Sequence, residues 1–266
     1  MKSTFLRSVF FVFWILLALQ LEACSHSRQG IMDDPQHIPG PFIVRKPEPK
    51  PKHRPRPKPE PPPIEVMMPQ PFKKPVIVID PGHGGEDFGT HSLTPPKYHE
   101  KYLNLATAKV LRGYLEQLGY HAILTRSEDV FISLDKRAQL ANGKKPVLFV
   151  SVHYNSAPSE EAHGVEVYYY QNEEDQQRSN QSKTLAQHAL IQILANTKAK
   201  SRGVKHGNFA VIRNTKMPAI LIEGGFLTNA GEMQKIKNPD YVKKLAWGIA
   251  KGIQDYMNKN ILTKVP

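Results

Sequence analysis

His83, Glu100, His153 and Glu223 are the residues of this chain whose types could do chemistry together, although 17, 53 and 70 residues separate them. His83 stands in "VIVIDPGHGGEDFG" (76–89), where an apolar run passes into glycines and then acids. Two phosphate-binding readings of that stretch fail. A dinucleotide fingerprint needs G-x-G-x-x-G, and after Gly82 and Gly84 the third position is Asp87. A phosphate loop needs Lys and Ser or Thr after its last glycine, where this chain has Thr90 and His91 after Gly89. What is left is a histidine at the end of a buried strand, among residues too small to block it. His153 lies within "FVSVHYN", and Glu223 directly follows "AILI". A carboxylate placed there is costly to bury without a partner or a task.

Two imidazoles and a carboxylate around a free fourth position make a catalytic zinc set, unlike the closed Cys-rich sets of structural zinc. A carboxylate nearby that is not a ligand then serves as proton carrier between water and a leaving nitrogen. Each residue also has a plainer reading. His83 suits a turn that bonds its own loop, His153 a satisfied core position, and Glu100 the ordinary acid of a first helical turn. His99, beside Glu100, is a rival ligand. His26, His37 and His53 fall in the N-terminal tail. His91, His121, His163, His188 and His206 read as loop or surface residues.

The elements that must position these groups alternate from Lys74 onward. "VIVID" (76–80) is a continuous apolar run, as in a strand buried on both faces. Residues 100–119 place Leu103, Ala106, Val110, Tyr114 and Leu118 on one helical stripe ending at Gly119. "HAILTR" (121–126), "VLFVSVHYN" (147–155), "GVEVYYY" (164–170), "FAVIR" (209–213) and "AILIEGGF" (219–226) read as strands. Helices are predicted over 133–142, capped by Ser133, over 183–196 and over 238–259. Alternation of this kind predicts a single α/β domain over 76–266, with a largely parallel twisted sheet flanked by helices. Sites in such sheets form beyond the carboxyl ends of the strands. His83, His153 and Glu223 fall there, and Glu100 joins them if the loop from Gly84 to His99 folds back.

The first 75 residues have another character. Lys2 and Arg7 precede an apolar run from Val9 to Leu19, too short to span a bilayer and suited to a signal peptide (1–23). "LEAC" (21–24) resembles a bacterial lipobox, which makes Cys24, the chain's one cysteine, the expected lipidation site and rules out an intramolecular disulfide. Glu22 departs from the small or aliphatic residue usual at that position. Fifteen of 23 prolines lie between Pro35 and Pro75, so residues 24–75 read as an extended spacer. At about 3.1 Å per residue its reach is on the order of 150 Å.

Formal charge is +12. Residues 1–75 carry 12 Lys/Arg against 6 Asp/Glu and residues 76–266 carry 24 against 18, so the basic density sits in the tail. That pattern gives no nucleic-acid partner and allows the linker to contact an anionic polymer or lipid surface. The chain is expected to be exported and held by an N-terminal lipid at the periplasmic face of a membrane. Ser25 in place of Asp favours the outer membrane in a two-membrane cell.

The segment from about Val76 to Lys259 resembles the zinc-dependent N-acetylmuramoyl-L-alanine amidases of bacterial cell-wall turnover and division, the AmiA/AmiB/AmiC-like catalytic domain. The resemblance rests on "IDPGHGGEDFGT", "HEKYLNLATAKVL", "SVHYNSA", "GVEVYY", "FAVIR" and "PAILIEGGFLTN", in that order. It implies one zinc ion held by His83, Glu100 and His153, with Glu223 as the catalytic carboxylate, and so selects Glu100 over His99. It also implies peptidoglycan or its fragments as substrate, cleaved between N-acetylmuramic acid and the first L-alanine of the stem peptide. A monomer is expected. Several division amidases of the family carry an inserted helix after the strand matching "GVEVYYY" that plugs the site. Only Gln171 to Ser182 stand between that strand and the next predicted helix, which predicts an enzyme without such a plug. The N-terminal anchor is left to do the localising.

Two other readings compete. "SLDK" places Ser133 and Lys136 in the S-x-x-K pattern of penicillin-binding serine enzymes, predicting a D,D-carboxypeptidase alone or as a second activity. Its usual companion motifs are missing: there is no S-D-N, and the nearest approach to K-T-G is "KHG" at Lys205. The other is a tethered peptidoglycan-binding protein with a dead site, which would be signalled by loss of a ligand or of the base.

Overall fold

The computed structural model describes residues 73–262. The expected signal peptide, Cys24 and the expected linker up to residue 72 lie outside the described residues. Six strands form one sheet: β1 (Val76–Pro81), β2 (His121–Leu124), β3 (Leu148–Asn155), β4 (Val165–Tyr169), β5 (Ser201–His206) and β6 (Ala219–Phe226). Their order is β2-β1-β3-β6-β4-β5. All neighbours run parallel except β4 and β6, which are antiparallel. The expected α/β class with a mostly parallel sheet is what the chain forms.

Between the strands run α1 (Glu100–Gln117), α2 (Leu134–Lys144), α3 (Gln176–Thr197) and α4 (Ala210–Arg213), and α5 (Ala230–Ile236) and α6 (Pro239–Leu262) follow β6. Successive strand residues face opposite sides, and the core follows that alternation. Ile77 and Ile79 pack with Leu111, Ile193, Leu245 and Ile249 of α1, α3 and α6. Val78, Phe149 and Leu221 turn the other way, onto Ala141 of α2 and Ile212 of α4. One face is therefore covered by long helices and the other by two short ones. Two hollows are lined by residues at the carboxyl ends of β1, β3 and β6.

Three local expectations are corrected. "FAVIR" is predicted as a strand, yet Ala210–Arg213 is a helical turn, and β5 is instead the basic "SRGVKH". Only Val211 and Ile212 of that run are buried, and two residues cannot display a period that separates strand from helix. Arg178, from α3, secures the turn by donating from Nη1 to the carbonyl oxygens of Ile212 and Thr215. β5 escapes an apolar-pattern search because it is an edge strand with no fully buried residue.

The buried stripe of α1 is also rotated from the predicted one. Its deepest residues are Glu100, Asn104, Thr107, Ala108, Leu111 and Leu115, whereas Ala106 is exposed. Polar side chains sit on the inner face at the helix start because the site lies there. Finally, α5 has no counterpart among the predicted helices; Asn229 caps it, accepting from Glu232 N.

Candidate metal centre

The turn that follows β1 is shaped by two arginines. Arg126, just beyond β2, donates to the carbonyl oxygens of Pro81 (3.0 Å), Gly82 (2.7 Å) and Lys101 (2.9 Å). Arg137, on α2, donates to those of Pro81 (2.7 Å) and His83 (2.7 Å). Arg137 is also paired with Asp80 at 2.9 Å, both groups being buried. Asp80 accepts in addition from Thr125 and Ser151. These contacts hold His83 at φ 58, a left-handed backbone that a non-glycine residue adopts only when its surroundings impose it. The sequence reading missed both arginines. The signal available was a lone arginine beside Ala138 and Ala141 on the inner face of a short helix.

On that turn the His83 ring is oriented by Asp87, whose Oδ1 lies 2.8 Å from Nδ1. This leaves Nε2 facing Glu100 Oε2 at 3.0 Å. Glu100 opens α1 and folds back with its loop, because Glu100 N bonds Thr90 O and Thr90 N bonds Glu100 Oε2. Its Oε1 accepts from Asn104 Nδ2 and Tyr154 N and stands 2.9 Å from His153 Nδ1. Burial pushes the Glu100 carboxyl up, but the bonds and charges of His153 and His83 outweigh it and hold the group well below the usual carboxylate range. His83 is shifted up: burial lowers it, while Glu100 and Asp87 raise it by more.

The structure thus brings His83, Glu100 and His153 together, with one donor atom from each within 4.8 Å of the others. His99, one residue from Glu100, is outside the group; its ring lies against Phe88 and His91. Two glycines keep the space open. A Cβ on Gly82 would run into the His153 ring, and one on Gly89 would lie 2.5 Å from Glu100 Oε2 and 2.7 Å from His83 Cδ2. Nitrogen and carboxylate donors in such a cradle fit a transition-metal dication.

Glu223 is the fourth residue. It pairs in register with His153 across β3 and β6 and lines the same hollow, of about 270 Å³, with His83, Glu100, Asn155 and Phe209. It is buried, and its Oε2 has no hydrogen-bond partner among the described residues. Burial, followed by the negative charges of Glu100 and Glu166, pushes its carboxyl well above the ordinary range.

Ser133 caps α2, accepting from Lys136 N at 3.4 Å, and Lys136 is exposed. That is the structural role open to Ser133 from the sequence.

The family profile described as N-acetylmuramoyl-L-alanine amidase matches residues 77–255. The chain belongs to that amidase family. A crystal structure of an N-acetylmuramoyl-L-alanine amidase from Clostridium difficile 630 is 40% identical with a TM-score of 0.66, covering 70% of this chain and 98% of that one. The probable cell wall amidase LytH of Staphylococcus epidermidis is 35% identical over 188 residues, 71% of this chain and 60% of the relative. LytC of Bacillus subtilis, an N-acetylmuramoyl-L-alanine amidase, is 38% identical over 182 residues, 68% of this chain and 35% of the relative. The chain therefore spans somewhat more than half of LytH and about a third of LytC.

As a member of the amidase family the chain is a peptidoglycan amidase by class. The dead-site reading gives way to an enzyme, and the serine carboxypeptidase reading finds no support among these relatives. Among the described residues no helix is long and apolar enough to cross a membrane.

Proposed function

We propose that this amidase is zinc-dependent and cleaves the amide between N-acetylmuramic acid and the L-alanine of the stem peptide. His83, Glu100 and His153 hold the ion, and Glu223 carries the proton. The observation that carries this reading is the unpartnered, buried Oε2 of Glu223 in the hollow it shares with the three donor residues. A buried carboxylate oxygen left without a donor is unfavourable, and a substrate water supplies one.

When bound, zinc supplies a Lewis acid for the amide carbonyl and lowers the pKa of an adjacent water. The chain's own groups do the rest. Asp87 fixes the ring of His83 so that Nε2 faces the centre. Asn104, Tyr154 and Thr90 orient the Glu100 carboxylate through its two oxygens. Glu223 takes a proton from the attacking water at Oε2 and delivers it to the leaving alanine nitrogen. Its raised proton affinity suits both halves of that transfer, because a stronger base accepts the proton and its acid form donates at neutral pH.

Only residues 170–175 separate β4 from α3. So short a connection supports an enzyme that works without removal of an inserted plug. Export, lipidation at Cys24 and a spacer over 24–75 complete the reading, placing the domain at the periplasmic face of a membrane and within reach of the wall.

The test is digestion of purified peptidoglycan by the purified protein alone, with products identified by mass spectrometry. Free stem peptides beginning with L-alanine, abolished by a zinc chelator, are the expected outcome. Loss of a terminal D-alanine, blocked by penicillin and indifferent to chelation, would return the activity to Ser133 and Lys136.

A further inference from the structure

His83 and His153 are walls of two hollows. Beside the one that holds Glu223 lies a larger one, of about 510 Å³, bounded by Phe131, Ile132, Leu134 and Val211. Phe131 and Leu134 are 51% and 56% exposed. Large apolar side chains held at the rim of a cavity, beside a reactive centre, mark a surface completed by a ligand.

The charges of this second hollow are one-sided. Asp87 is bonded to His83, and Asp135 accepts from Asn214. Arg137 is the arginine of the lining; it is buried, and four of its five N–H groups donate to the carbonyl oxygens of Ile132, Pro81 and His83 and to Asp80. No free positive charge meets an incoming group from this lining. Beyond Glu223, by contrast, the partnered cations lie nearer the solvent. There Glu166 faces Glu223 across the β4–β6 ladder, and Arg202 and Lys205, each about one-third exposed, are gathered on it.

We propose that the apolar hollow receives the sugar of the substrate, the N-acetylmuramoyl side of the scissile amide, while the stem peptide runs past Glu223 towards Asn155. The inference rests on the amidase reading above. A stem peptide is a string of amides with carboxylates. In the apolar hollow its carboxylates would lose water and face Asp87 and Asp135. The sugar is uncharged over most of its surface. Its C–H face and acetamido methyl match the ring of Phe131 and the side chain of Leu134, and its hydroxyls stay at the open rim.

The experiment compares two substrates: a muropeptide monomer, and the same stem peptide acylated with D-lactate alone. Phe131→Ala should lower kcat/KM for the muropeptide about tenfold more than for the lactoyl peptide, mainly through KM. Phe131→Tyr, which keeps the ring, should restore it. A peptide-free N-acetylmuramic acid glycoside should inhibit the wild type competitively and weaken against Phe131→Ala, a readout that needs no sugar-free substrate. Equal losses on both substrates, no loss, a larger loss on the lactoyl peptide, or unchanged inhibition by the glycoside would overturn the assignment. If wild-type protein releases no stem peptide from either substrate, the amidase reading itself has failed, which is a separate result. Phe131 is half exposed, so its truncation leaves the core in place, and thermal melting of the variant checks this.

Discussion

Glu166 and Glu223 stand directly opposite one another on β4 and β6, both buried, and their environments drive them apart. Glu166 accepts from Asn155 (2.7 Å) and Tyr168 (2.9 Å) on one oxygen and from Arg202 (3.0 Å) and Lys205 (2.5 Å) on the other. Burial pushes it up, yet Lys205, Arg202 and Tyr168 hold it below the usual carboxylate range. Glu223 has an oxygen with no donor and is pushed the other way. Two neighbouring acids tuned in opposite directions can fill two roles, one a fixed charge and one a proton carrier.

Replacing Glu223 by Gln should lower kcat by about 10²- to 10⁴-fold, with bound zinc unchanged by elemental analysis. Retained activity, or loss of the metal, would remove Glu223 from its assigned role. Stability gives an independent reading on chelated protein. The fold favours the protonated acid, a preference present at low pH and lost as pH rises through the raised value. The chelated Gln variant should therefore be more stable than chelated wild type at neutral pH, with the gap closing towards about pH 4.

Chelation should abolish hydrolysis, and zinc should restore it at one ion per chain. Asp87→Ala removes the group that orients His83 and should weaken zinc affinity about 10- to 100-fold, as loss of such a partner does elsewhere. Competition with a coloured chelator measures this directly; an unchanged affinity would mean that the turn alone holds the ring.

Glu166→Gln removes a negative neighbour of Glu223 and releases two cations. Loss of that negative charge lowers the proton affinity of Glu223, which must be ionised to accept a proton. The acid limb of the kcat/KM profile should move to lower pH. A shift to higher pH would contradict the electrostatic link between the two acids.

Arg137→Ala leaves Asp80 buried without its guanidinium partner. Such a loss costs about 3–5 kcal/mol, to be read from urea denaturation. A loss under about 1 kcal/mol, the range of an exposed pair, would show that Asp80 does not depend on Arg137.

Cys24→Ala should abolish incorporation of labelled fatty acid and move the protein out of the membrane fraction. Incorporation that persists would exclude Cys24 as the anchor.

Part of this site was legible in the chain. His83 at a glycine turn, His153 in an apolar strand and Glu223 behind "AILI" are each anomalous against their own neighbours, and anomalies of that kind survive without coordinates. The buried strands were legible for the same reason, since consecutive apolar residues have few other uses. Glu100 was not separable from His99 by local chemistry, because either could open a helix. The choice became physical only when Thr90 bonded both ends of Glu100 and the His99 ring turned to Phe88. Tertiary structure alone placed Glu166 beside Glu223, 57 residues away in sequence, through an antiparallel step in an otherwise parallel sheet. It alone set Arg126 and Arg137 on the backbone of the His83 turn. A sequence states which groups are present and how each sits against its neighbours in the chain. Which charges share a low-dielectric space is decided by strand order, and that order is a property of the packed sheet.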